Sequence, residues 1–133
     1  MAESHPEVID PHDPLVERIR GICLTFPDVV ELQAWGRPTF RAGKRIFVMV
    51  SSSMHRPNTI VFKPAPEELP AYQQDARFFS PPYWGHGGWI AVDIDATDTD
   101  WTEIAELIDC SYRQVALVRQ LRELDSKSPL PLV

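Results

Sequence analysis

Apolar positions along the chain change their spacing repeatedly, and each change marks an element. Leu15, Ile19, Ile22, Cys23 and Phe26 recur at helical spacing behind Asp13-Pro14, an N-cap followed by proline at the first helical position. This predicts a helix from about Pro14 to Thr25. After Pro27-Asp28 the period falls to two, with Val30, Leu32 and Ala34 alternating with Glu31, Gln33 and Trp35. A half-buried strand requires that alternation, and here it places Val30, Leu32 and Ala34 toward the core. Gly36-Arg37-Pro38 turns the chain. Thr39-Phe40-Arg41 and Arg45 to Val50 then flank Ala42-Gly43-Lys44, a hairpin connection with a cation at its tip. A second hairpin follows, with Ser51 to Asn58 as its loop and Thr59 to Lys63 as its return strand.

Between Pro64 and Gly88 five prolines and three glycines break the pattern, leaving room for a short helix near Glu67 to Gln74. Phe78, Phe79, Tyr83 and Trp84 make this excursion too aromatic to hang in water, so it is expected to fold back over the sheet. Trp89 to Ile94 reads as the last strand. Asp100 and Glu103 have capping-box spacing, and Trp101, Ile104, Ala105, Ile108, Tyr112, Val115 and Arg119 continue it as one long helix. The pattern implies an α+β protein: an antiparallel sheet with the N- and C-terminal helices packed on one face. Residues 13–125 form one domain, with residues 1–12 and 126–133 as frayed tails.

That arrangement leaves a second sheet face carrying Glu31, Gln33, Trp35, Thr39, Arg41, Arg45, Phe47, Met49, Val61, Lys63, Trp89 and Asp93. Such a mixture is larger and more aromatic than solvent usually tolerates. The excursion or a homodimer is expected to cover it, with an open ligand surface as the alternative.

Length and composition bound the function. The 133 residues make one domain, and 44% hydrophobic with 24% charged residues is ordinary for a globular protein. No stretch approaches a membrane span, and the first residues lack the pattern of a signal peptide, so a cytoplasmic protein without membrane contact is expected. Cys23 and Cys110 sit beside apolar neighbours in helical patterns, where reduced thiols are expected. Charge is segregated. The chain has a formal net charge of -6, yet between Glu31 and Glu67 it has no acidic residue and six basic ones: Arg37, Arg41, Lys44, Arg45, Arg56 and Lys63. Segregation of this kind sets one surface apart for an anionic partner.

Phe26-Pro27-Asp28-Val29 with Glu31, Trp35-Gly36-Arg37-Pro38-Thr39-Phe40, Gly43-Lys44, Phe62-Lys63-Pro64, Pro81 to Ile90 and Ser111-Tyr112-Arg113 resemble, in this order, the MmcQ/YjbR family of small bacterial proteins. The resemblance implies a frataxin-type α+β sandwich and DNA binding through two β-hairpin wings. Wing one would be the hairpin with Arg41, Lys44 and Arg45; wing two, the loop with His55 and Arg56. Guanidinium and ammonium groups at hairpin tips reach phosphates, and a two-stranded ribbon fits a major groove. The competing reading is that basic hairpins are solvated edges that discourage sheet-to-sheet pairing.

A different class of function, binding of a small anionic or aromatic molecule or of a protein partner, is offered by Trp35, Tyr83, Trp84, His86 and Trp89. The glycines around His86 allow close backbone approach, and the imidazole titrates near neutral pH. No paired metal-ligand histidines, Cys-x-x-Cys or nucleophile elbow occurs, so neither an enzyme, a metal nor a cofactor is expected. The acid run Asp93, Asp95, Asp98, Asp100, Glu103, Glu106 and Asp109 is explained by helix capping, the helix dipole and a solvated face rather than by a metal.

Overall fold

The computed structural model describes residues 10, 12–51, 58–81, 87–95 and 97–127. Helix α1 spans Pro14–Cys23, with the Asp13 carboxylate accepting from the Leu15 N–H at 2.8 Å. It stops two residues earlier than the spacing predicts, and buries Val16, Ile19 and Cys23.

Strands β1 (Val29–Ala34), β2 (Arg37–Ala42), β3 (Arg45–Ser51) and β4 (Thr59–Phe62) follow as successive antiparallel neighbours. The first turn is Trp35-Gly36 rather than Gly36-Arg37-Pro38. Both residues have positive φ (56° and 76°), as a two-residue I′ hairpin requires. Gly43 (φ 69°) and Lys44 make the second turn, with glycine at the first loop position.

Helix α2 (Leu69–Gln73) precedes β5 (Phe78–Phe79), which the chain pattern does not reveal as a strand. Strand β6 (Ile90–Asp93) lies between β4 and β5, giving a six-stranded antiparallel sheet in the order β1-β2-β3-β4-β6-β5. Five strands were to be expected from periodicity; the sixth is two residues long and closes the far edge.

The C-terminal helix is two helices. α3 spans Trp101–Val115 and is capped by Asp100, whose carboxylate accepts from the Thr102 and Glu103 N–H groups at 3.0 and 3.2 Å. Ala116 is then extended (ψ 154°), and α4 runs over Val118–Lys127, past the expected boundary at 125. Neither glycine nor proline makes this break. The Gln120 side chain accepts from the Leu117 N–H at 2.8 Å and donates to Asp28 at 3.3 Å, holding a new helix start against the β1 end of the sheet.

The main core lies between the sheet and α1 and α3. Phe40, Phe47, Val48, Val50, Ile60, Phe62 and Ile90 meet Val16, Ile19, Ile104, Ile108 and Tyr112 there. Tyr112 stacks on Phe26 (4.9 Å), meets Phe47 edge-on (5.2 Å) and donates to the Pro27 carbonyl at 2.7 Å. Burial raises the Tyr112 pKa to about 12, because the phenolate would lose its solvation there. Cys23 is a free thiol in this core, and burial pushes its pKa well up, with Glu31 adding to the effect. A thiol held protonated in this way is a poor nucleophile.

Two features revise the expected faces. In β1, Glu31 points toward the helices and pairs with Arg20 of α1, at 2.7 Å from Nε and 2.9 Å from Nη2, while Val30 (43% exposed) and Leu32 (48%) lie on the other face. β1 is an edge strand where the helix layer ends, so a bidentate ion pair can take the inner position that apolar alternation assigns to Val30 and Leu32. In β3 the register slips between Thr39↔Met49, Phe40↔Val48 and Arg41↔Ile46, a bulge that leaves Phe47 without a β2 partner. Phe47 and Val48 therefore both enter the helix-side core, contrary to the expectation that put Phe47 on the second face. Ser111 of α3 satisfies the bulge: its hydroxyl donates to the Phe47 carbonyl at 2.6 Å and accepts from the Lys63 N–H at 2.8 Å.

Candidate nucleic-acid interface

Among the described residues no helix packs on the second face, the one the helix layer leaves uncovered, yet its centre is buried: Met49 is 6%, Val61 2% and Ala91 0% exposed. Its centre is a small apolar cluster of Met49, Val61 and Ala91, against which Phe79 and Trp89 pack. Phe79 thus folds onto this face as expected, whereas Phe78 turns inward to Phe62 and Tyr72. Tyr83, Trp84 and His86 lie outside the described residues, as does the wing-two loop with His55 and Arg56.

Beside this cluster stands β2, whose outward positions are Arg37, Thr39 and Arg41. Their partners are neutral. Arg37 donates from Nε to the Ser51 hydroxyl (3.0 Å) and from Nη1 to the Trp35 carbonyl (2.8 Å). Arg41 donates from Nε to the Thr39 hydroxyl (3.2 Å), which in turn donates to the Leu32 carbonyl (2.6 Å). Lys63 lies with Nζ 5.9 Å from the centre of the Trp89 ring, within cation–π range. Trp35 is 46% exposed at the β1–β2 turn. The side-chain hydrogen bonds fix how the guanidinium groups are presented without neutralising them.

Four other arginines are ion-paired. Arg20 pairs with Glu17 and Glu31, Arg77 with Asp75 and Glu103, Arg113 with Asp109 and Asp125, and Arg119 with Asp28. The hydrogen bonds that Arg20 donates to Glu31 raise its pKa, and those that Arg77 donates to Asp75 and Glu103 raise that of Arg77. Among the described residues, no carboxylate lies within ion-pair distance of Arg37, Arg41, Lys44, Arg45 or Lys63. Asp93 is the acid on the uncovered face, where it accepts from the Thr59 hydroxyl at 3.0 Å.

The basic residues are not all on one side. Arg45 pairs across the hairpin with Ala42, a helix-side core residue, so the bulge turns it away from Arg41. The hairpin tip is also anchored. The Gly43 N–H donates to the Asp28 carbonyl at 3.0 Å, and a Cβ on Gly43 would stand 3.3 Å from Gln120 Nε2. Wing one is therefore docked against the α3–α4 corner. Sequence periodicity missed Val30 and Leu32 on the uncovered face and Arg45 on the other. The side of Arg45 depends on a bulge held by Ser111, so no local pattern announces it.

The acid run is spent on local structure. Asp95 accepts from the Asp98 and Thr97 N–H groups, which hold its carboxyl below the usual range; Asp100 caps α3; Glu103 and Asp109 pair with arginines. Among the described residues, no group of three His, Cys, Asp or Glu is placed to hold a metal ion, and no helix is long and apolar enough to cross a membrane.

A sheet covered by helices on one face, with Arg37, Arg41 and Lys63 on the other and no carboxylate beside them among the described residues, defines a two-layer α+β protein. The YjbR family model matches residues 24–114, and the chain belongs to that family. The crystal structure of Deinococcus radiodurans protein DR2400, described with the family-model domain DUF419, is similar over 83% of this chain and 87% of that chain, at a TM-score of 0.67 and 20% identity. That likeness concerns the fold. No curated protein matches the chain.

Proposed function

We propose that this YjbR-family protein is a non-enzymatic DNA-binding protein that meets the phosphate backbone with the uncovered face of its sheet. One observation supports this above the others: Arg37, Arg41 and Lys63 share that face without a carboxylate partner among the described residues. Unpaired cations held by neutral hydrogen bonds keep their charge for phosphates, and most protein–DNA contacts are of that kind. The reading keeps the cations and replaces free wings with a face, because the β2–β3 tip is docked on Asp28 and Gln120.

Fluorescence anisotropy of end-labelled DNA over a salt series tests it. Three phosphate contacts give a log–log salt slope of about -2.7 for duplex and about -2.1 for single strands. Arg37→Glu/Arg41→Glu should abolish binding while leaving the circular dichroism spectrum unchanged. Equal affinity of native and doubly substituted protein at low salt would reject this surface. A second copy of the chain is the rival occupant of the same face. Sedimentation would then show a dimer that Leu32→Lys dissociates and DNA does not.

A further inference from the structure

On the other side of the same hairpin lies a groove of about 680 Å³, between the tip Gly43-Lys44-Arg45 and the α3–α4 corner. Val29, Ala42 and Leu117 supply apolar lining, and Leu117 is 53% exposed. Three cations line it. Arg119 is committed to Asp28 at 2.8 Å, and Asp28 also accepts from Gln120, so that carboxylate is occupied. Lys44 and Arg45 are exposed and have no carboxylate within ion-pair distance among the described residues.

Two backbone irregularities build this groove. The bulge at Phe47 aims Arg45 into it and away from the DNA-facing side, as bulges beside binding sites commonly do. Asp28 holds φ 60°, an uncommon conformation for a residue with a side chain, where its carbonyl receives the Gly43 N–H and its carboxylate fastens Arg119 and Gln120. Both irregularities are stabilised by side chains far away in sequence, and both shape the same concavity.

We propose that the groove binds a small amphipathic anion, a carboxylate on an apolar body, with Lys44 and Arg45 holding the carboxylate and Leu117, Val29 and Ala42 covering the body. Its volume falls within the range of small-molecule sites, and an apolar lining with a few convergent charges is their usual make-up. The charge complementarity selects an anion; the lining selects against a bare one. This site does not share Arg37, Arg41 or Lys63, and it stands or falls independently of DNA binding.

The test is titration of the full-length protein with octanoate, 1-octanol and inorganic phosphate, followed by amide chemical shifts. Octanoate should perturb Gly43, Lys44 and Leu117 and bind about tenfold more tightly than 1-octanol, the factor that 1.4 kcal/mol corresponds to. Phosphate should bind weakly. Arg45→Glu and Leu117→Asp should each remove octanoate binding, and Arg45→Lys should restore most of it. Binding of 1-octanol or phosphate as tight as that of octanoate would overturn the proposal. So would octanoate shifts centred on Phe79 and Trp89, or an Arg45→Glu protein that binds octanoate unchanged.

Discussion

The two faces of this sheet use the same residue types to opposite ends. On the helix side, Arg20 is gripped by Glu31, Arg18 lies over the Trp101 ring, and Phe26, Phe47 and Tyr112 form one packed group. On the uncovered side, Arg37 and Arg41 are oriented by hydroxyl and carbonyl groups, and the apolar centre among the described residues is Met49, Val61 and Ala91 with Phe79 and Trp89 around them. Arg20 spends its charge on an ion pair, whereas Arg37 and Arg41 have no carboxylate partner among the described residues. Substitutions should therefore separate cleanly by face, affecting folding on one and binding on the other.

The largest separation should come from packing. Phe47→Ala opens the helix-side core and should cost about 3–5 kcal/mol in urea denaturation, whereas Met49→Ala, in a thin cluster able to collapse, should cost about 2 kcal/mol. Equal losses would mean that the uncovered face is as much a core as the other.

Alkaline pH comes next. Tyr112 has its folded-state pKa raised from 10 to about 12 by burial, so its contribution is complete below about pH 10 and is lost as pH rises through 12. At about 1.4 kcal/mol per pKa unit the loss approaches about 3 kcal/mol. Tyr112→Phe should remove this alkaline limb; at neutral pH it should cost about 1–3 kcal/mol, because the Pro27 carbonyl loses its donor. A limb that survives in Tyr112→Phe would place the titration elsewhere.

Smaller effects sharpen the contrast of charges. Glu31→Ala leaves Arg20 half-paired and should cost about 1.5 kcal/mol. Arg41→Ala should change stability by less than about 0.5 kcal/mol, as surface substitutions usually do. A stability loss at Arg41 as large as that at Glu31 would assign the uncovered cations to the fold.

Much of the architecture is legible in local pattern. Asp13-Pro14 and Asp100 with Glu103 begin helices as their capping chemistry dictates, and Gly43 makes the hairpin turn. The alternation in β4 and β6 also predicts their faces: Val61 and Ala91 look outward while Ile60, Phe62, Ile90 and Val92 look inward. What local pattern misses was decided by distant partners. The Phe47 bulge rests on Ser111, 64 residues away, and the restart at α4 rests on Gln120 reaching Asp28, 92 residues away. β1 reads in the wrong phase because an ion pair with α1, not burial of Val30 and Leu32, decides its inner side.

The motifs behind the family resemblance also turn out to be largely architectural among the described residues. Tyr112 bonds Pro27, Ser111 joins β3 to β4, and Trp35-Gly36 makes a turn. They identify the family through its fold. The cations of the candidate surface were legible by their segregation, but not the side on which Arg45 falls, since a bulge is invisible to periodicity.

The uncovered face, not a free hairpin tip, is the surface proposed to meet DNA. Amide shift perturbation of the native protein with a short oligonucleotide at low salt tests it most directly. The footprint should centre on Arg37, Arg41 and Lys63 and fade as salt rises. A footprint on α1 and α3, or none at all at low salt, would contradict it.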